Sequence, residues 1–110
     1  LPHTEGCGIG YAGDGERLFS RVMFGHLLHA NVVTALMLEH GCEKNHNAWM
    51  VDELQKLGVD PRRFGSASVQ LDGGVDSVLE KVKDWFQAEA AKVAERSASD
   101  VARPSLHVPL

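Results

Sequence analysis

Residues 32–38 form a β-branched and apolar run, Val-Val-Thr-Ala-Leu-Met-Leu, without a charged side chain. A strand with one solvent-facing side alternates apolar and polar residues, whereas a strand of a parallel sheet is covered on both faces and is apolar throughout. The run therefore predicts a strand that is buried on both faces and belongs to a small parallel sheet.

Three segments with helical periodicity accompany this strand, and a weaker strand candidate lies between the last two of them. Asp14 is the predicted N-cap of the first helix, and Gly58 is the predicted stop of the second. The helices are expected at residues 16–29, 48–57 and 75–94, and the second strand at residues 66–71.

The order helix, strand, helix, strand, helix predicts an α/β fold. Parallel strands joined through a helix form a right-handed crossover, and the helices cover the sheet. We expect a Rossmann-like three-layer arrangement with helices on both faces of the sheet, truncated at both ends, with residues 1–4 as the remnant of an earlier strand. Residues 1–95 are predicted to form this domain, and residues 96–110 a linker followed by the start of a further strand.

Composition and charge favour one soluble domain and argue against several kinds of partner. The 110 residues are 44% hydrophobic and 24% charged, and the net charge is 11 − 15 = −4. Proteins bind the phosphates of nucleic acids mainly through clustered positive charge, which a chain with net negative charge lacks. We therefore expect no nucleic-acid partner. No segment approaches the roughly 20 apolar residues of a membrane helix, and the first residues do not resemble a signal peptide, so we expect a cytoplasmic protein without a membrane partner.

Cysteine, histidine and glycine are concentrated in the first half of the chain. Both cysteines, five of the six histidines and seven of the eleven glycines lie in residues 1–46. The spacings His3-x-x-x-Cys7 and Cys42-x-x-x-His46 each pair an imidazole with a thiol, and these ligand types suit iron or zinc. The alternative is that both cysteines are small buried hydrophobic residues beside tight turns.

The two cysteine-containing loops are expected to be neighbours. Each follows a predicted strand, and α/β sheets bind their ligands at the carboxyl ends of the strands. Glu43 directly follows Cys42 at the start of a predicted helix. It is a candidate metal ligand or general base, and N-terminal capping of the helix explains its position equally well.

Four short motifs occur along the chain in a fixed order: His3-Thr4-Glu5-Gly6-Cys7-Gly8, His29-Ala30-Asn31-Val32, Gly41-Cys42-Glu43-x-Asn45 and Asp72-Gly73-Gly74. Together, in this order and at these separations, they resemble the catalytic region of the altronate and D-galactarate dehydratases, a family of sugar-acid dehydratases. The resemblance spans residues 3–86, and it implies that the chain is a fragment of that region.

The resemblance implies a metal-dependent lyase that eliminates water from a sugar acid such as altronate or galactarate. The implied cofactor is iron, as Fe²⁺ or an iron–sulfur cluster, or another divalent metal that stabilises the enediolate-like intermediate. Roles follow by resemblance alone: Cys7 and Cys42 as metal ligands, Glu43, His29 and Asn45 as catalytic residues, and Thr4, Asn31 and His46 as substrate-binding residues.

The chain also departs from the family pattern. The family has His-Pro-Asn where this chain has His29-Ala30-Asn31, and Glu39 and His40 place ionisable side chains at the mouth of the site. The family continues into a further glycine- and cysteine-containing segment, so we expect the 110 residues alone to be inactive and to require the remainder of a parent enzyme.

Two hypotheses from other classes remain open at this point. One is a non-catalytic α/β module that binds an anionic ligand through glycine-loop amides and helix amino ends. The other is a structural domain whose edge strands pair in a homo-oligomer.

Overall fold

The computed structural model describes residues 8–101, which form three α-helices, a short 3₁₀ turn and two β-strands. The predictions for residues 1–4, Cys7 and residues 102–110 lie outside this range. The elements are α1 (Asp14–Leu27), β1 (Leu36–Glu39), α2 (Asn47–Lys56), the 3₁₀ turn (Pro61–Arg63), β2 (Gly65–Ser68) and α3 (Val75–Val101).

The glycine-rich segment leads directly into α1. Gly13 is the residue before the helix and offers no side-chain cap, and Asp14 is the first helical residue rather than the N-cap. The buried Glu16 accepts a hydrogen bond from the backbone N–H of Ala12, which ties the segment before the helix to its first turn. The predicted helix is confirmed, but Asp14 is not its N-cap, since Gly13 occupies that position without a side-chain cap hydrogen bond.

Strands β1 and β2 form a two-stranded parallel sheet and are joined through α2. Leu36 pairs with Gly65 and Glu39 with Ser68 at the ends of the ladder. His46 precedes α2, and its Nδ1 accepts a hydrogen bond from the backbone N–H of Trp49 at 3.2 Å. The α/β class and the parallel pairing are confirmed for the described residues, whereas a three-layer arrangement stays a prediction.

The strand β1 begins later than the apolar run predicts. The N–H of Val32 bonds to the carbonyl of His29 at 2.9 Å, which holds the start of the run in the turn after α1. Pairing begins only where the N–H of Gly65 reaches the carbonyl of Ala35 at 3.0 Å. A β-branched run is thus not sufficient for a strand; a partner for its backbone groups is needed as well.

Burial of β1 is one-sided in the described part of the chain. Met37 is 8% exposed and packs with α2, whereas Leu38, on the opposite face, is 58% exposed. The prediction of a strand buried on both faces is therefore wrong for these residues, because α2 covers one face and leaves Leu38 exposed on the other.

The core lies between β1 and α2. Leu54 is completely buried, and burying such a side chain contributes about 1.5–3 kcal/mol. Phe24 of α1 packs on Trp49 of α2 with ring centroids 5.9 Å apart, which brings α1 alongside this core. The central residues are Met37, Met50 and Leu54, surrounded by Phe24, Leu27, Trp49, Val51, Val59 and Phe64.

The helix α3 packs on β2 and continues further than predicted. The backbone of Gly65 lies so close to the Trp85 indole that an added Cβ would be 2.5 Å from its Cε2 atom. α3 runs to Val101, through the first residues of the segment predicted as a linker, while the domain boundary itself stays a prediction. Alanines favour continuation, and neither glycine nor proline occurs between Gly74 and Pro104. Within residues 8–101, every helix is too short or too polar to cross a membrane.

Candidate functional site

Two loops meet at the carboxyl ends of the parallel strands. The β1 loop comprises residues 40–46, and the β2 loop comprises residues 69–74. The N–H of Val69 donates to the carbonyl of Glu39 at 2.9 Å, and the N–H of Gln70 donates to the carbonyl of His40 at 3.3 Å. The ladder therefore extends past the strands and holds the loops side by side, at the edge where sheets of this class bind ligands.

Cys42 is exposed at the junction of the two loops. Its Sγ accepts a hydrogen bond from Nε2 of Gln70 at 3.6 Å. The Gln70 side chain crosses over Gly41, whose φ is +134° and where an added Cβ would overlap the Gln70 amide. Glycine is thus required at position 41 for two reasons, its left-handed backbone and the close approach of Gln70.

Glu43 folds back onto its own loop. Its Oε1 accepts from the N–H of His40 at 2.7 Å and its Oε2 from the N–H of Gly41 at 2.8 Å. Burial by itself would raise the pKa of Glu43, but the N–H groups of Gly41, His40 and Glu43 and the nearby His40 ring together lower it below its ordinary value. Glu43 is therefore ionised at neutral pH, with both oxygens engaged by the backbone.

Asn45 links the β1 loop to α1. Its Nδ2 donates to Oγ of Ser20 at 2.6 Å, which leaves its side-chain oxygen as an acceptor. Asn45 and Glu43 both line a first cavity of about 670 Å³ between α1, β1 and α3. Most of its lining is apolar, including Ile9, Phe19, Met23, Leu27, Leu36, Leu38, Val82 and Phe86.

Glu39 is a buried carboxyl group at the end of β1. It is 7% exposed, and its Oε2 accepts from the N–H of Asn47 at the first residue of α2. The side chain of Asn47 in turn donates to the carbonyl of Ala67 on β2 at 2.9 Å. These contacts fix the start of α2 against both strands, and Glu39 and Asn47 line both cavities described here.

A second cavity of about 540 Å³ lies beside the β2 loop and the start of α2. Asp72 and Lys81 form an ion pair at its edge, with Nζ of Lys81 2.8 Å from Oδ2 of Asp72. The same Oδ2 accepts the N–H of Ser68 at 2.7 Å. The Lys81 ammonium, followed by the Ser68 N–H, lowers the pKa of Asp72 below its ordinary value.

The structure brings some of the predicted site residues together and places others elsewhere. Glu43 and Asn45 share the first cavity, His46 lines the second, and Cys42 lies between the loops. His29 and Asn31 are exposed in the turn after α1, where the N–H of Asn31 donates to Nδ1 of His29 at 3.2 Å. The linings of the two cavities do not include either residue. Thr4 and Cys7 lie outside the described residues.

The described residues do not by themselves supply a complete metal site. Within residues 8–101, no three side chains of His, Cys, Asp or Glu are grouped so that they could hold a metal ion. Cys42 is one exposed thiol, and the predicted second ligand, Cys7, lies outside this range.

Sequence reasoning missed Gln70, Lys81 and the buried network of Glu39 with Asn47. Gln70 precedes the Asp72-Gly73-Gly74 motif and Lys81 follows it. That motif is the sequence feature from which a second loop at the candidate site could have been predicted. Gly73 and Gly74 have φ values of +89° and +95°, which turn the chain from β2 into α3 and bring Lys81 back to Asp72.

Comparison with known proteins places the chain in a family. The model described as "D-galactarate dehydratase/Altronate hydrolase, second domain" matches residues 1–94, which is most of the chain. No curated protein and no solved structure matches it. The chain therefore belongs to the D-galactarate dehydratase/altronate hydrolase family, in the part of it that corresponds to the second domain.

Proposed function

We propose that this chain is part of a lyase that eliminates water from a sugar acid such as altronate or galactarate. The family match supports the dehydratase class, and the meeting of the β1 and β2 loops around Cys42 supports a site at that edge of the sheet. In this proposal the chain acts in the cytoplasm together with the remainder of its parent enzyme. The family match does not favour the non-catalytic anion-binding alternative.

The proposed reaction is an elimination followed by ketonisation. A base removes the proton from C2, next to the carboxylate, and the C3–O bond breaks as the hydroxyl leaves with a proton as water. The resulting enol takes up a proton at C3 and releases the proton of its C2 hydroxyl, which gives a 2-keto-3-deoxy acid. The C2 proton is weakly acidic, so groups that stabilise the enediolate-like intermediate contribute most to the rate.

Glu43 is suited to hold the β1 loop in shape rather than to accept the C2 proton. A general base works best with a pKa near the working pH, whereas the pKa of Glu43 is lowered and both its oxygens accept backbone N–H groups. We assign it as a positioning residue for the neighbouring Cys42. Asn45, anchored by Ser20, directs its side-chain oxygen to a substrate hydroxyl. Asn31, His29 and Thr4 retain their predicted roles as proposals.

Iron, held by Cys7 and Cys42, is also a proposal. When bound, it would supply a Lewis acid for the substrate's carboxylate and neighbouring hydroxyl. The exposed thiol of Cys42 at the loop junction is the observation that supports its assignment as a ligand. Metal content and the visible spectrum of anaerobically prepared protein test this assignment directly, because Cys42→Ala should reduce bound iron whether or not turnover is measured.

The function is tested on the full-length protein that contains these residues. Altronate and galactarate are supplied separately under anaerobic conditions with Fe²⁺, and 2-keto-3-deoxy acid is measured as its semicarbazone. We expect product from at least one acid and its loss in Cys42→Ala, whereas Arg96→Ala, on the exposed end of α3, should retain activity. Absence of product from both acids with the metal-loaded wild type would overturn the proposal.

A further inference from the structure

Gln70 is the residue of the β2 loop that reaches across to the β1 loop. Its backbone N–H donates to the carbonyl of His40 at 3.3 Å, and the N–H of the preceding Val69 donates to the carbonyl of Glu39 at 2.9 Å. These two bonds continue the parallel ladder, so the backbone of Gln70 has a fixed place beside the β1 loop. Its side-chain amide therefore meets Sγ of Cys42 from a defined starting point, at 3.6 Å.

Glu43 holds the backbone of the β1 loop, whereas Gln70 contacts the Cys42 side chain itself. The carboxylate of Glu43 accepts the N–H groups of His40 and Gly41, which fixes the turn that precedes Cys42. A cysteine has three staggered χ1 rotamers, and the packing around an exposed one restricts them little. The N–H···S bond from Gln70 is a contact that selects one orientation of the sulfur.

Stability alone does not account for this contact. Gln70 and Cys42 are both exposed, so water can satisfy both groups and the bond between them adds little to the free energy of folding. Ordering a glutamine side chain also costs conformational entropy. The crossing restricts position 41 to glycine as well, because an added Cβ would overlap the Gln70 amide. Such a restricted arrangement of exposed side chains at a candidate site favours a functional role.

The chemistry of the bond suits a group that orients another. An amide N–H is a donor, and the sulfur of Cys42 accepts it through one of its lone pairs. The bond therefore sets the direction in which the rest of the sulfur atom faces. Residues that hydrogen-bond to a metal-ligating side chain fix its orientation in the same way, and their loss typically costs about 10–100-fold in affinity or activity.

We propose that Gln70 is a positioning residue of the candidate site, which holds the sulfur of Cys42 in one orientation at the junction of the two loops. This role rests on the proposed function, because that function gives Cys42 its place in the site. Gln70 acts through Cys42 and is assigned no contact with the substrate.

The reactivity of the Cys42 thiol tests this hold without turnover. Full-length protein prepared without added metal is treated with iodoacetamide, and alkylation of the peptide that contains Cys42 is followed by mass spectrometry. The rate is measured as pH rises and compared at its plateau, where the thiol is fully ionised in every variant. Gln70→Glu and Gln70→Met keep the length of the side chain but lack the N–H donor, and Gln87→Glu, at an exposed glutamine of α3, is the control.

Loss of the N–H donor should make Cys42 more reactive. We expect the plateau rate of alkylation to rise roughly threefold or more in both Gln70 variants, because a sulfur that has lost this hydrogen bond is a better nucleophile and rotates more freely. Gln87→Glu should react at the rate of wild type. A plateau rate that Gln70→Glu and Gln70→Met leave unchanged would overturn the proposal.

Turnover and stability show whether the orientation of Cys42 matters to the reaction. For whichever acid the wild type converts, kcat/KM should fall roughly tenfold in Gln70→Met, while the urea midpoint of unfolding stays close to that of wild type because the side chain is exposed. Gln87→Glu should retain both values. A lowered urea midpoint in Gln70→Met, together with an unchanged alkylation rate, would show a structural role and refute the assignment.

The results separate this inference from the proposed function. Faster alkylation in the Gln70 variants, in a protein whose wild type forms no product from either acid, would support the hold of Gln70 on Cys42 and contradict the lyase. Product formed by the wild type, with kcat/KM unchanged in Gln70→Met, would support the lyase and overturn the role of Gln70.

Discussion

Nε2 of Gln70 donates a hydrogen bond to Sγ of Cys42 at 3.6 Å, and the Gln70 side chain reaches it by crossing over Gly41. One residue comes from the β2 loop and the other from the β1 loop. Their contact depends on the absence of a side chain at position 41. The candidate site at the carboxyl edge of the sheet is therefore formed by two loops, and these two residues lie 28 positions apart in the sequence.

Gly41→Ala should destabilise the protein more than a matched substitution at another left-handed glycine. Gly41 has φ +134° and no room for a Cβ, whereas Gly58 has φ +75° and open space around it. Backbone strain at position 41 costs about 1–3 kcal/mol, and the exposed Gln70 side chain must in addition move away from the new methyl group and give up its bond to Cys42. Urea unfolding of Gly41→Ala and Gly58→Ala measures the free energy of unfolding that each variant loses. Equal losses would show that Gln70 does not restrict position 41.

Leu54→Ala should lower the free energy of unfolding by about 2–5 kcal/mol, because a completely buried leucine leaves a cavity when truncated. Leu57→Ala is the control at the end of the same helix, where the leucine is 59% exposed. The control should cost no more than about 0.5 kcal/mol beyond helix propensity. Thermal unfolding monitored by circular dichroism measures the stability of both variants. A similar loss of stability in Leu54→Ala and Leu57→Ala would show that Leu54 is not part of the core.

Gly65→Ala should weaken the packing of α3 on β2. The new methyl group would lie 2.5 Å from Cε2 of Trp85, so the indole must move. Overpacking of this kind costs about 1–3 kcal/mol. In the double variant Gly65→Ala with Trp85→Leu the smaller side chain makes room, so the combined loss of unfolding free energy should be less than the sum of the two single losses. Strict additivity would contradict a direct contact.

Asp72 should make stability depend on pH in the acid range. Its pKa is lowered in the folded protein by the Lys81 ammonium and the Ser68 N–H, from an ordinary value of 3.8. A lowered carboxyl pKa contributes stability above the unfolded value and loses it as pH falls through the folded value. Wild type should therefore lose stability below about pH 3.8, and Asp72→Asn should lose less over the same interval. The urea midpoint of unfolding is measured against pH for wild type and Asp72→Asn. If the midpoints of the two proteins change in parallel, the prediction is wrong.

Ser20→Ala should impair the proposed elimination through Asn45. The Oγ of Ser20 accepts Nδ2 of Asn45 at 2.6 Å, so its loss frees the amide to rotate. We expect kcat/KM to fall roughly tenfold, because a poorly positioned Asn45 would stabilise the transition state less by about 1.4 kcal/mol. Ser97→Ala, exposed near the end of α3, is the control. If both variants retain full activity, Asn45 is not held by Ser20 during catalysis.

Local pattern was enough to locate the helices and to identify the parallel pairing. The apolar run 32–38 predicted a buried parallel strand, and the glycine, cysteine and histidine motif after it predicted a loop site. Periodicity and turn residues carry this information because they act within a few residues of the chain. The same pattern could not place the strand boundaries, since pairing starts where Gly65 meets Ala35.

The roles of individual side chains depended on contacts between distant residues. Glu43 follows Cys42 and has the sequence position of a ligand or base, yet its carboxylate is held by the backbone of its own loop. Nothing in the local pattern connects Gln70 with Cys42, or Lys81 with Asp72, because those contacts form only when β2 pairs with β1 and α3 folds back.

Residue order thus specified an α/β chain with two parallel strands and a family-like set of motifs, because helix periodicity, apolar runs and glycine turns are local properties. The folded arrangement decided which polar groups surround each cavity and which face of β1 stays exposed. Those outcomes depend on long-range packing and on the partners that backbone and side-chain hydrogen bonds find across the sheet.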